Sequence, residues 1–371
     1  MKNSNKKHKL ISFLLILSFI LNCAIQTGCK NKFPNGCVKI FFCAQYLSDS
    51  NSNLINVIDE FEKKCQIKVC TYSTFESNEQ LYAKLKYSQF KYDVILPSDY
   101  MISRLIKENM LQKINKNLIP NYKQINYIYQ GSSCGFDLTN EFSVPYTWGT
   151  VGIIYNKPRI EKITQQNANK VITGFDCLFN NKFNKEVLMF SNSKDAFAIA
   201  LKTLNYSINT TNLNEIKQAQ QLLKQQKKIV QGYFTDEITD KMINEEAALS
   251  CAFSGDAQNM INENKNLKFC LPQNGSIMYV DAMCIPKNAQ NVENAHKFIN
   301  FMCSSKIAAI NSTFSSFSTT LKHAYKILDD KIRTNKIAYP SENELKKCET
   351  QKFLDTETEN TIAQLWEQVK I

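Results

Sequence analysis

The sequence predicts an α/β protein built as two lobes, and three observations carry that prediction. At 371 residues the chain is longer than one ordinary core needs, so two domains of roughly 150 residues are expected. From Val38 to Lys107 apolar runs with strand and helix periods alternate, the rhythm of a mostly parallel sheet covered on both faces. The stretch SVPYTWGTVGIIYN, Ser143 to Asn156, then changes texture: Pro145, Gly149 and Gly152 surround aromatic residues ahead of an aliphatic run, as in a segment crossing from one lobe to the other. With 43% hydrophobic and 21% charged residues the chain has the apolar content to fold.

Taken in order, Val38 to Phe42 reads as a strand. Leu54, Ile55, Ile58 and Phe61 then fall at helical spacing. IKVCTYSTFES alternates as a strand from Ile67, and NEQLYAKLKYS is helical from Asn78. YDVILPSDY is a buried strand from Tyr92 that breaks at Pro97, and a helix follows from Met101 to Lys107. Beyond the crossing segment come a strand near Glu186 to Phe190, helices from Asp195 to Leu204 and from Asn214, and a helical stretch from Thr239 to Glu246. ALSCAFSGD is a short strand, NLKFCLPQNGSIMYVDAMCIPKNA reads as two strands around a loop, and CIPKNA returns the chain to the first lobe. Helices near Val292 to Met302, Leu321 to Lys331 and Thr361 to Val369 complete the chain.

The first 28 residues stand apart. Lys2, Lys6, Lys7 and Lys9 precede LISFLLILSFIL, Leu10 to Leu21, an apolar run of signal-peptide length and too short for a comfortable membrane span. Thr27 and Gly28 are small, which suits cleavage before Cys29 and its lipidation; the stretch resembles a bacterial lipoprotein signal, with residues 29–36 as a tether. An uncleaved anchor is the alternative, and either way the body faces out of the cytosol. The formal charge of +11 becomes +7 without the four leader lysines. Single lysines spread among asparagines, with no basic cluster or zinc-finger spacing, argue against a nucleic-acid partner.

Thirteen cysteines in an exported chain invite disulfides. Cys23 lies in the leader and Cys29 would carry lipid, so an odd number remains at irregular spacings. Buried thiols acting as small hydrophobes and some disulfides are both open readings. No CxxC is present and His8, His296 and His323 are scattered, so no metal site or cofactor is expected.

Polar and aromatic residues gather where predicted strands give way to loops: Tyr46, Ser98, Asp99, Tyr100, Asp195, Asp256, Tyr279 and Asp281. In α/β sheets ligands bind beyond the carboxyl ends of strands. A serine nucleophile would need a histidine base beside a strand-end serine, and a carboxylate-pair hydrolase could draw only on Asp256 and Asp281; an enzyme is not expected. The set suits a small organic cation instead. Carboxylates replace the lost hydration of an ammonium, and aromatic walls pack its methylenes while adding about 0.5–2 kcal/mol per cation–π contact.

FFCAQYLSDS, TYSTFESNEQLYAKLK, YDVILPSDYMISRLIKENMLQKI, SVPYTWGTVGIIYN, DAMCIPKNA and AYPSENELKK together resemble the periplasmic spermidine/putrescine-binding proteins of ABC-type polyamine importers, from about Val38 to the C-terminus. The resemblance implies a two-lobed periplasmic-binding-protein-like fold of type II with the ligand cleft between lobes that close on a hinge. It implies lobe 1 as 37–147 plus 282–322, and lobe 2 as 148–281 plus 323–371 with the C-terminal helices. It further implies a monomeric extracytoplasmic receptor that delivers putrescine or spermidine to membrane permease subunits, tethered to membrane lipid through Cys29 or free in the periplasm.

The same resemblance assigns the pocket. Cys43, Ala44, Gln45 and Tyr46 stand where the family has Trp, a small polar residue, an acid and Tyr, so Tyr46 keeps an aromatic wall while Cys43 and Gln45 surrender a ring and a charge. Ser98 and Tyr100 keep the PSxY turn. Asn192 and Asp195 replace an acid pair, Phe253 and Tyr279 replace tryptophans, and Asp281 matches the carboxylate that receives an amine. Asp256 resembles the acid of putrescine-preferring members, Gln351 matches a glutamine at the far end, and a further family tyrosine corresponds to Ser315 or Phe317. Trp148 is expected to pack within the crossing rather than touch ligand. Two rivals remain: a receptor for another small solute such as an amino acid, favoured if Arg104 turns into the cleft, and a surface lipoprotein or adhesin without transport.

Overall fold

The computed structural model describes residues 35–43, 46–49 and 53–371, so the expectations for Gln45 and for Cys29 lie outside the described residues. The α/β architecture is present. Its strands are β1 (Cys37–Cys43), β2 (Lys68–Phe75), β3 (Val94–Ile95), β4 (Ser143–Asn156), β5 (Val187–Phe190), β6 (Val230–Phe234), β7 (Leu249–Phe253), β8 (Leu267–Cys270), β9 (Met278–Cys284) and β10 (Ser318–Thr319). Along the main path they run β2-β1-β3-β9-β4-β7-β5-β6, with β8 and β10 pairing to β4 off it. The β1–β2, β1–β3, β5–β6 and β5–β7 pairs are parallel, and every pair involving β4 or β9 is antiparallel.

The helices that matter to the cleft are α1 (Val57–Cys65), α2 (Asn78–Tyr87), α3 (Asp99–Lys107), α4 (Ser193–Thr203), α5 (Glu237–Ile243), α6 (Ser254–Glu263), α7 (Val292–Met302), α8 (Ser305–Ser315), α9 (Lys322–Ile327) and α10 (Thr356–Lys370). Local chemistry sets their starts. Asn56, Ser77 and Asn192 each accept a backbone N–H from the first turn of α1, α2 and α4, satisfying donors that a helix end leaves orphaned. Because Asn56 caps α1, Leu54 and Ile55 fall outside the helix and remain exposed, although their spacing predicts helical positions.

β4 is the crossing segment. All 14 of its residues are buried, its first half pairs β9 and its second half pairs β7 and β8. Pro145, which has no N–H to give a ladder, sits at an irregularity in the β4–β9 register. On one side of the crossing, β1, β3, α1, α7 and α8 enclose Val38, Phe42, Phe61, Phe298 and Met302. On the other, β5, β7 and α4 enclose Leu188, Phe197, Leu201 and Leu249 together with Trp366 of α10. α9 follows β10, which pairs β4 through Trp148, and its Ala324 and the following Leu328 pack in the first core.

Cys37 and Cys70 form a disulfide across 33 residues, tying edge strand β2 to β1. Cys134, Cys177, Cys251, Cys284 and Cys303 are buried thiols. Cross-linking a loop of this length stabilises mainly by restricting the unfolded chain. Replacing both Cys37 and Cys70 by Ser is therefore expected to lower the unfolding free energy by about 2–4 kcal/mol, read from urea melts of the oxidised parent against the double variant; a shift below about 0.5 kcal/mol would overturn this.

Candidate functional site

The singled-out residues gather beyond β1 and β3, at the end of β7 and on β9. Tyr46 follows β1, Ser98 follows β3 and Pro97, Phe253 ends β7, and Tyr279 and Asp281 lie two residues apart on β9, hence on one face of the strand. Asp281 is 3% exposed. Its Oδ2 accepts the Tyr46 hydroxyl, and its Oδ1 has no well-aligned partner among the described residues. Ser98 pairs with Asp281 through an isolated bridge. Burial pushes the Asp281 carboxyl above the usual range, and hydrogen bonding from Ser98 and Tyr46 only partly offsets that. An ionised carboxylate buried this way is costly until a cation arrives.

Rings connect the two lobes. Tyr146 meets Tyr46 at 6.2 Å between centroids, Tyr46 meets Phe317 at 5.2 Å, Phe317 meets Tyr279 at 6.4 Å, and Tyr279 meets Phe253 edge-on at 5.3 Å. Phe253 stacks on Phe190 at 5.1 Å. Of the two candidates for the further aromatic position, Phe317 therefore joins the wall, and Ser315 lines a recess behind it with Asn311, Ser312 and Thr319. The wall needs a glycine: a Cβ on Gly255 would stand 2.6 Å from the Phe317 ring.

Past this wall, Asp256 lies in the first turn of α6. Burial, and then the negative charge of Asp236, push its carboxyl up to about 7. The helix start at Ser254 is invisible in the sequence because Phe253 occupies the cap position without a side-chain bond.

At the other end, Asp195 is held from two sides. Asn192 donates to its Oδ2 at 2.7 Å and Gln351 donates to its Oδ1 at 2.9 Å, bringing the C-terminal segment to the site. Asn192 also accepts the Asp195 N–H at 2.8 Å, so the residue that forfeits a charge caps α4 instead. The Tyr100 hydroxyl donates to Glu79 at 2.8 Å, and the Lys194 ammonium lies 4.8 Å from the centroid of the Tyr100 ring. Glu79 raises the Asp195 carboxyl by its charge, after the larger effect of burial. It is an acid that sequence reading did not single out; its only visible signal is its place in the first turn of α2.

Trp148 is buried, donates its indole N–H to the Thr319 carbonyl at 3.1 Å and stacks on Tyr129 at 4.5 Å. Arg104 pairs with Glu108 at 3.0 Å and lies 3.7 Å over the Tyr82 ring of α2, with Phe353 also in reach. Among the described residues no group of three or more His, Cys, Asp or Glu side chains is placed to hold a metal ion, and no helix is long and apolar enough to cross a membrane.

Asp99 differs from its neighbours. It is 1% exposed, one oxygen accepts the Tyr100 N–H at 2.7 Å, and the other has no partner among the described residues. Burial, with the Asp281 charge in addition, drives its carboxyl well above the usual range. A carboxyl raised on folding stabilises most below its unfolded value, near pH 4, and that contribution is lost as pH rises toward its folded value. Asp99→Asn should therefore be more stable than the parent at pH 8 by about 1–3 kcal/mol and hold more level between pH 4 and 8; a parallel loss in both proteins across urea melts in that range would refute this.

Residues 56–339 match the family of bacterial extracellular solute-binding proteins. The chain is 32% identical over 296 residues to the spermidine/putrescine-binding periplasmic protein of Salmonella typhimurium, covering 80% of this chain and 82% of that one. It is 29% identical over 326 residues to the putrescine-binding periplasmic protein SpuD of Pseudomonas aeruginosa, covering 85% and 88%. Among solved structures, the spermidine/putrescine ABC transporter substrate-binding protein PotD from Streptococcus pneumoniae superposes with a TM-score of 0.78 at 27% identity, over 91% of this chain and 99% of that one.

Proposed function

The chain belongs to the family of bacterial extracellular solute-binding proteins, and from that premise we propose that it is an extracytoplasmic polyamine receptor that delivers putrescine or spermidine to an ABC-type membrane permease. The carrying observation is Asp281: a buried carboxylate with one oxygen held by Tyr46 and the other without a well-aligned partner among the described residues, set in a wall of rings that spans both lobes. An ammonium supplies what that oxygen lacks. The methylenes lie against Tyr46, Phe317, Tyr279 and Phe253, Ser98 adds a hydrogen bond, and the chain extends toward Asp256 at one end or toward Tyr100, Asp195 and Gln351 at the other. Asp256, and the charges absent at Asn192 and Gln45, favour the diamine; Gln351 supports spermidine.

The receptor acts by binding and release, with no bond made or broken, as a monomer tethered through lipid on Cys29. Intact mass of the membrane fraction tests the tether: a chain starting upstream of Cys29 without lipid refutes it. The engagement of Arg104 with Glu108 and Tyr82 counts against an amino-acid receptor that uses this arginine for an α-carboxylate. Calorimetric titration with putrescine, spermidine, spermine, arginine and a neutral sugar tests the function. Submillimolar binding of a polyamine but not of the sugar is expected, and dissociation constants above millimolar for every amine would overturn it.

A further inference from the structure

The N-terminal turn of α2 reaches the cleft through the loop after β3, across 20 residues of sequence. The Asn78 side chain makes two bonds to one residue: its Oδ1 accepts the Ser98 N–H at 3.0 Å, and its Nδ2 donates to Ser98 Oγ at 3.0 Å. The next residue, Glu79, accepts the Tyr100 hydroxyl at 2.8 Å. Ser98 is also the cap residue of α3 yet makes no side-chain cap bond, because its hydroxyl is engaged from α2 instead.

The polarity of the Asn78 bond matters. A hydroxyl has one proton and two lone pairs; with Asn78 Nδ2 occupying a lone pair of Ser98 Oγ, the Ser98 proton is free to point elsewhere. Ser98 faces Asp281 across the bridge, and Asp281 carries the buried oxygen that lacks a well-aligned partner. The Asn78 amide cannot be turned round without placing its donor against the Ser98 N–H, so the backbone bond fixes which way the side-chain bond runs.

We propose that Asn78 and Glu79 are positioning residues of the amine site: Asn78 makes Ser98 a donor toward Asp281 and the bound ammonium's surroundings, and Glu79 holds the Tyr100 ring upright at the Asp195 end. Neither touches the ligand. The inference rests on the polyamine reading of the same cleft.

The test is a calorimetric cycle on the full mature chain with putrescine and spermidine at pH 6 and pH 8, using Asn78→Ala, Ser98→Ala and the double variant. Asn78→Ala should weaken binding about tenfold at pH 8, as for one lost hydrogen bond to a charged group, and more at pH 6, because a less supported Asp281 carboxylate protonates more readily. In the Ser98→Ala background Asn78→Ala should change little. Equal losses at both pH values that add to those of Ser98→Ala would reduce Asn78 to a structural role and overturn the proposal, as would unchanged binding. Glu79 gives an arm that stands even if Asn78→Ala fails to fold. Glu79→Ala should weaken spermidine about fivefold and Glu79→Gln should restore it, since the amide oxygen still accepts from Tyr100; equal losses in both would make Glu79 a charge and not a positioning group. If the parent binds no amine, the polyamine reading falls; if the parent binds and the variants match it, only this inference does.

Discussion

Asp281→Asn is expected to weaken putrescine or spermidine binding about thirtyfold or more, about 2 kcal/mol, while making the empty protein more stable at neutral pH. Both effects come from one carboxylate. In the empty cleft Asp281 is buried, and its charged form is disfavoured by lost hydration. Its stability contribution is greatest below the unfolded value near pH 4 and is lost as pH rises toward the folded value, so an amide of the same shape relieves the empty protein. In the loaded cleft the same substitution leaves an ammonium among rings without its counter-charge, and the Tyr46 hydroxyl then donates to a neutral oxygen. Asp99→Asn, one residue beyond Ser98, should change amine affinity only a few-fold, because Asp99 is committed to the start of α3. Calorimetry and thermal melting with and without putrescine separate these outcomes. Equal affinity losses at Asp99 and Asp281 would show that the amine lies elsewhere.

Much of this was legible because local and tertiary preferences agree. β2 and α2 follow the alternation and capping signals of their own residues, and the residues beyond strand ends point to a cleft before any fold is seen. The losses have physical causes. α6 begins on Phe253 without a cap, and α8 follows α7 after only Cys303 and Ser304, with Ser304 making no side-chain cap bond and Asn311, Ser312 and Thr313 lowering its helical propensity. β6, VQGYF, is a partly exposed edge strand with a central glycine, too short to show a period. Phe317 could not be chosen over Ser315 because the choice is made by Gly255, which leaves room for a ring across the cleft. Asn78 and Glu79 look like ordinary first-turn residues, and their partners Ser98 and Tyr100 belong to another loop.

Amine affinity should rise about tenfold per pH unit up to about pH 7 and level off above it. The group responsible is Asp256, whose carboxyl is pushed up to about 7 by burial and then by Asp236, against the helix start of α6, which favours negative charge. Below that value the carboxyl carries a proton that an incoming ammonium must displace, so binding releases a proton and weakens with acidity; alkyl ammoniums, which titrate near pH 10, stay charged throughout. Between pH 7, where half the carboxyl is ionised, and pH 5 the loss is therefore about 50-fold. For the empty protein the sign is opposite: the stability that Asp256 contributes is full below about pH 4 and is lost as pH rises through about 7. The shift in melting temperature caused by putrescine should accordingly be larger at pH 8 than at pH 5.5. Asp256→Asn should lose affinity at pH 8, match the parent near pH 5 and show a flatter profile. Calorimetry at pH 6 in buffers of different ionisation enthalpy measures the released proton directly. A parent whose affinity is level from pH 5 to pH 8, with no proton released, would remove Asp256 from the site.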